Sequence, residues 1–304
     1  MTVHKRRSPS SSRIAAFAYA WVASVYGVAP ATAVERATVA TVAAPTAATP
    51  TAATPTAATL CAVDSSDPAP SRWRAAGIEP AQPLADGDNV VLIGSSSMRG
   101  NFGRFLENQL QAHGLSTYRR GISSTGISRP DYFDWQGAVE ELPITKATAA
   151  AFIYVGVNDP QGIWLRPEER SKGVSDPWVR WHLARWDEVY RGRVVALINA
   201  MCDRGARRVV VLLPADVRWS GLQQRLVRVR RQQILAARQS RCGSAVSTSG
   251  DDAMIHDSDE RRQPRRMPDG YHLSTYGAAI TWARIAPHVL RLLGWQPPNQ
   301  ASCR

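Results

Sequence analysis

Several chemistries are excluded by what the sequence lacks. Its four cysteines, Cys61, Cys202, Cys242 and Cys303, include no Cys-x-x-Cys pair, so a zinc knuckle or a dithiol redox centre has no ligands. The histidines His4, His113, His182, His256 and His288 show no metal-ligand spacing either. There is no zinc-finger spacing, no basic zipper and no glycine-aromatic RNA-binding signature, which argues against nucleic acid as the partner. The apolar run Ile14–Val28 falls short of the roughly 20 residues that a bilayer-spanning helix needs.

What is present points to a globular protein outside the cytoplasm. Hydrophobic residues make up 44% of the 304, with 10 tryptophans, enough for a sizeable core. The formal charge of +12, carried more by Arg than Lys, favours anionic partners such as an acidic envelope polymer. At the N-terminus, His4-Lys5-Arg6-Arg7 and Arg13 precede the apolar run, and Ala31-Thr32-Ala33 is a small-x-small cleavage site. This predicts a signal peptide over 1–33, with an uncleaved anchor as the competing reading. Cleavage would leave no stable membrane insertion. Pro45–Thr59 repeats Pro-Thr-Ala-Ala-Thr three times, so 34–74 reads as a disordered, extended spacer. A folded domain is expected over 85–296, exported to the periplasm or beyond. An even cysteine count there permits two disulfides. The favoured pairing is Cys202 with Cys242 and Cys61 with Cys303, with free buried thiols as the alternative.

Within the domain, short apolar runs alternate with amphipathic stretches. Strands are expected at Val90–Ile93, Ser116–Arg120, Ala149–Val155, Arg208–Leu213 and, more weakly, Ser244–Ser247. Helices are expected at Asn101–His113, Trp186–Asp203, Leu222–Arg241 and Tyr276–Leu293. This alternation predicts an α/β fold with a parallel sheet covered on both faces. Ligands then bind beyond the carboxyl ends of the strands. The stretch 160–185 has no clear period and carries three tryptophans, which reads as a lid or rim over that edge.

Three motifs stand where such a sheet would place a site. Gly94-Ser95-Ser96-Ser97-Met98 follows the first strand and precedes a helix, whose free amides attract negative charge. Taken alone it reads first as a helix cap. Gly156-Val157-Asn158-Asp159 follows the third strand and offers an uncharged amide donor, or simply an Asx turn. Asp269-Gly270-Tyr271-His272 precedes the last helix, and a carboxylate three residues before an imidazole can fix its tautomer.

In this order the three motifs resemble the SGNH/GDSL hydrolases, from about Val90 to the end of the last helix. The second family block is similar to Gly121-Ile122-Ser123-Ser124-Thr125-Gly126, continuing through Arg129-Pro130-Asp131 to Trp135. Together these stretches resemble a bacterial exported branch of that family. The order differs from the α/β-hydrolases, which carry a Gly-x-Ser-x-Gly elbow later in the chain. The resemblance implies a three-layer α/β/α, flavodoxin-like fold. It implies Ser96 as nucleophile, with Ser95 or Ser97 as slipped alternatives. His272 would be the general base and Asp269 its orienting acid. The oxyanion hole would comprise the Ser96 amide, the Asn158 side chain and a glycine amide, with Gly126 preferred over Gly121. One departure stands out: Ser95 occupies a position that the family usually fills with Asp.

Arg129, Trp135, Asp159, Asp216, Arg218 and Trp219 are the weaker candidates for substrate contact at the rim, by binding a carboxylate or stacking on a sugar. No metal and no cofactor is expected. The leading expectation is hydrolysis of a small acyl ester, such as acetyl, on a cell-envelope carbohydrate or small molecule. The alternatives are acyl transfer to an envelope polysaccharide, or a catalytically silent binding or assembly protein.

Overall fold

The computed structural model describes residues 83–85, 87–173, 175–249 and 264–295. The expected signal peptide, the spacer and the Cys61–Cys303 pairing lie outside the described residues. No described helix is long and apolar enough to cross a membrane.

The chain opens with strand β1 (Asn89–Gly94), a single-turn helix α1 (Ser96–Arg99) and helix α2 (Asn101–Ala112). Strand β2 (Ser116–Gly121) follows, then the short α3 (Trp135–Ala138) and β3 (Thr148–Tyr154). Two two-residue strands, β4 (Ile163–Trp164) and β5 (Trp178–Val179), pair antiparallel. Next come α4 (Arg185–Asp203), β6 (Val209–Leu213), α5 (Ser220–Gln239), β7 (Gly243–Ser247) and α6 (Thr275–Leu293).

The main sheet has five strands in the order β2-β1-β3-β6-β7, all parallel. This is the flavodoxin-like arrangement, in which the order of strands reverses beside β1 and opens a crevice at the carboxyl edge. Alternate side chains feed two cores. Val91, Ile93, Ala151, Ile153, Val209 and Val211 face α4 and α5. Val90, Leu92, Ala150, Phe152, Val210 and Leu212 face α2 and α6. The central strands are therefore apolar on both faces. Edge strand β2 is not: its residues are exposed or half-buried, because it has one neighbour and thinner cover.

Local chemistry explains the helix ends. Ser274 caps α6, its Oγ accepting from the Gly277 amide at 3.0 Å, and α6 stops at Gly294 in the left-handed region (φ 73°). A disulfide joins Cys202 in α4 to Cys242, just before β7, as favoured from the sequence.

The segment 160–185 differs from the expected lid. Ile163, Leu165 and Val179 are at most 2% exposed and belong to the core beneath α4. Arg193, buried in the middle of α4, holds the segment down. Its guanidinium donates to the Trp164 carbonyl at 2.6 Å, to the Ile127 carbonyl at 3.1 Å and to the Glu169 carboxylate. A stretch with this much buried apolar surface is part of the fold, not a cover over the site.

Candidate active site

Three loops leave the sheet at the same level. In the strand register, Gly94 at the end of β1 pairs with Gly121 of β2 and with Tyr154 of β3. The first residues beyond the strands keep this alignment. The Ser95 amide donates to the Tyr154 carbonyl at 3.0 Å, and the Ile122 amide to the Gly94 carbonyl at 2.9 Å. Ser96, Ser123 and Gly156 therefore each stand two residues past aligned strand ends.

Ser96 is the first residue of α1, so its amide has no partner within that helix. Its side chain meets a fourth loop, 264–274. An antiparallel bridge between Arg266 and Leu273 closes that loop into a tight turn. Buried Arg266 donates to the Tyr271 carbonyl at 2.8 Å, and the Met267 amide to the His272 carbonyl at 2.9 Å. Gly270, with φ at 77°, supplies the reversal that brings Asp269 back onto His272.

The Asp269 carboxylate is used on both oxygens. Oδ1 accepts the backbone amides of Tyr271 (3.0 Å) and His272 (2.9 Å), and Oδ2 lies 2.7 Å from His272 Nδ1. The opposite ring nitrogen, Nε2, lies 2.7 Å from Ser96 Oγ. With Nδ1–H donated to the carboxylate, Nε2 is the lone-pair nitrogen facing the serine hydroxyl. Partial burial would raise the Asp269 carboxyl. The hydrogen bonds from the His272 ring and from the two amides outweigh burial and hold it below the usual carboxylate value.

These three side chains line a cavity of about 430 Å³, with Ser123, Tyr154, Met267, Tyr271 and the first turn of α2 on its walls. Among the described residues no group of His, Cys, Asp and Glu side chains is arranged to hold a metal ion.

The structure thus brings Ser96, Asp269 and His272 together, and it places the other sequence-derived candidates variously. Asn158 adjoins the loop after β2, its Nδ2 donating to the Thr125 carbonyl at 2.9 Å, which leaves the second amide hydrogen for another acceptor. Gly126 lies away from the cavity wall, next to Asp159. A Cβ there would stand 2.3 Å from Asp159 Oδ1, so close packing accounts for the glycine. Nearer the nucleophile, Ser123 lines the cavity, and Ser124 is the one described non-glycine residue with positive φ, at 63°. Sequence reasoning passed over both. The doubled serine four residues past the β2 arginines gave no sign of a left-handed turn.

Several rim candidates are corrected by their surroundings. Asp159 is fully buried; it accepts the Ser128 amide at 2.8 Å and the Tyr190 hydroxyl at 2.9 Å, and burial pushes its carboxyl up. It anchors the loops and cannot reach a substrate. Trp135 is 2% exposed and packs edge-on against Phe133. Asp216 is buried in an ion pair with Arg230 at 2.9 Å. Arg129 donates from Nε and Nη2 to the two carboxylate oxygens of Asp131 and lies over the Trp178 ring. Arg218 and Trp219 remain at the site. The Arg218 amide donates to the Gly270 carbonyl at 2.9 Å, and the exposed Trp219 donates its indole N–H to the Asp269 carbonyl at 2.8 Å.

Solved structures resemble this one at low sequence identity. One is Axe2, an acetylxylan esterase from Geobacillus stearothermophilus, with a TM-score of 0.46 and 16% identity over 71% of this chain and 98% of that one. Another is LAE5, an alpha/beta hydrolase enzyme from the metagenome of Lake Arreo, Spain, with a TM-score of 0.47 and 14% identity over 70% and 98%. No curated protein matches the chain in sequence. Residues 89–288 match DUF459, a family described as "Protein of unknown function". The chain belongs to this DUF459 family.

Proposed function

We propose that this protein is an exported serine esterase that removes a small acyl group, acetyl foremost, from a cell-envelope carbohydrate. The observation that carries the reading is the continuous relay from Asp269 through His272 to Ser96 Oγ, opening into a cavity of ligand size. Export rests on the sequence features of residues 1–33.

The chemistry follows from the relay. His272 Nε2 takes the Ser96 proton as Oγ bonds to the ester carbonyl carbon, and the carbonyl π pair moves onto oxygen. Asp269 stabilises the imidazolium. The oxyanion would be met by the Ser96 amide, the free Asn158 amide hydrogen and an amide of the 123–124 turn. Collapse breaks the bond to the sugar oxygen, which leaves with the proton from His272. Water, deprotonated by His272, then attacks the acyl-Ser96 carbonyl; collapse breaks the carbonyl–Oγ bond, releases the acid and returns the proton from His272 to Ser96 Oγ.

Hydrolysis is preferred over acyl transfer because the 160–185 segment packs into the core and does not roof the cavity, so nothing described excludes water. A silent binding role finds less support. Ser95 is buried beneath the nucleophile, yet the relay is complete without a carboxylate there. The test is turnover of p-nitrophenyl acetate by the purified domain and by Ser96→Ala. We expect the variant to lose several orders of magnitude in kcat. Equal rates would reject Ser96 as nucleophile.

A further inference from the structure

Two arginines stand in the wall of the Ser96 cavity without an acidic partner among the described residues. Arg99 lies one helical turn after Ser96 on α1, and Arg104 lies on the first turns of α2; both are exposed and both line the cavity. Arg99 donates to the Ser123 hydroxyl at 3.2 Å and Arg104 to Asn101 Oδ1 at 3.1 Å, both neutral acceptors. Asn101 in turn donates to the Leu273 carbonyl at 3.2 Å, beside His272, so Arg104 is tied to the loop that carries the base. Among the described residues, no carboxylate lies within ion-pair distance of either guanidinium.

Neighbouring arginines behave differently. Arg119 and Arg120, on the adjacent β2, pair with Glu107 at 2.7 Å and Glu141 at 2.8 Å. Among the described residues the single carboxylate on the cavity wall, Asp269, is already engaged by the His272 ring and two backbone amides. The nucleophile therefore opens into a cavity with two positive charges that no described carboxylate of its wall compensates. A guanidinium offers a fork of donors suited to the oxygens of a carboxylate or a phosphate.

Resting on the reading of Ser96 as an ester-cleaving nucleophile, we infer that the alcohol portion of the substrate carries an anionic oxygen-rich group, carboxylate or phosphate, received by Arg99 and Arg104. The substrate class is an O-acetylated acidic sugar rather than a neutral one. The arginines bind the carrier and leave the acyl group at Ser96.

The test compares kcat/KM on an acetylated oligogalacturonide and an acetylated glucose phosphate with that on an acetylated xylo-oligosaccharide. The enzymes are the wild type, Arg99→Gln, Arg104→Gln, the double variant, and Arg238→Gln as a control of equal charge change outside the cavity. Preference for the oligogalacturonide assigns a carboxylate, and preference for the sugar phosphate assigns a phosphate. We expect the wild type to favour one anionic ester at least about tenfold. The ratio should fall about tenfold or more in the double variant, recover in part with Arg99→Lys, stay put in Arg238→Gln and shrink with added salt. A wild type that prefers the neutral ester, or a ratio unmoved by the double change, overturns the inference. Failure of the esterase reading is separable, because it would appear as no turnover of any ester. In that event, calorimetric titration of Ser96→Ala with the same acidic oligosaccharide still decides. Binding lost on adding Arg99→Gln and Arg104→Gln supports the anion site, and no binding, or binding unchanged by them, refutes it.

Discussion

The His272 ring nitrogen Nε2 lies 2.7 Å from the hydroxyl of Ser96, a residue 176 positions earlier in the chain. Two elements make that contact. β1 delivers Ser96 to the carboxyl edge of the sheet, and the bridged turn before α6 carries His272 to meet it. Asp269 completes the line from the same turn.

Replacing Asp269 with Asn should cost roughly a hundred- to ten-thousand-fold in kcat with a small change in KM. An amide at that position does not hold the His272 proton on Nδ1, so Nε2 ceases to be the basic nitrogen. Steady-state kinetics on p-nitrophenyl acetate measures the split. A variant retaining most of its kcat would show that the carboxylate does not orient the base.

Asp159 is expected to matter for the fold. Asp159→Ala leaves the Ser128 amide and the Tyr190 hydroxyl without their buried acceptor, at a cost of about 2–4 kcal/mol. Asp159→Asn keeps the acceptor for Ser128 and should cost less. Urea unfolding of both variants reads the difference; a fully stable alanine variant would contradict the anchoring role.

Much of this architecture was legible in the sequence, for identifiable reasons. Strands such as Val209–Leu213 are buried on both faces, so their composition alone marks them. The Asp269–His272 pair is local, three residues apart, and its geometry follows from one turn. The rim was not legible. Asp159 looked like a substrate contact because nothing near it in sequence announces Tyr190, and Asp216 because Arg230 lies a helix away. The tryptophans of 160–185 suggested a lid, since a lone buried Arg193 inside an otherwise amphipathic helix gives no hint of what it holds. Arg104 sat within the expected helix and Arg99 just before it, and only the cavity separates them from ordinary surface arginines.

Glu169 should make stability depend on pH. Partial burial opposes its ionisation, but hydrogen bonds from Arg193 and the Arg166 amide, with the charges of both arginines, hold its carboxyl below the ordinary 4.5. A lowered folded-state value stabilises the protein fully above pH 4.5, and that contribution disappears as pH falls through the lowered value. Buried Asp159, raised instead, acts in the opposite sense, so the wild-type-minus-variant difference is the informative quantity. Glu169→Gln should lower stability by about 2–3 kcal/mol at pH 7, because Arg193 loses its charged partner. That gap should close as pH drops below 4.5. Urea midpoints at pH 7 and pH 3 test it, and a constant gap would contradict it.

The Cys202–Cys242 bridge closes a loop of 40 residues. Replacing both cysteines with serine should cost about 2–4 kcal/mol, lowering Tm by roughly 5–15 °C. Ester turnover at 25 °C should persist, since the bridge joins α4 to β7 away from the cavity. Calorimetry with and without reductant checks this; a Tm indifferent to both would contradict it.

The most direct measurement is covalent labelling of the folded domain with a fluorophosphonate, followed by peptide mapping. The account predicts one adduct, on Ser96, abolished by Ser96→Ala and strongly slowed by His272→Ala. No adduct on folded protein, or an adduct carried by Ser95 or Ser97 instead, would contradict it.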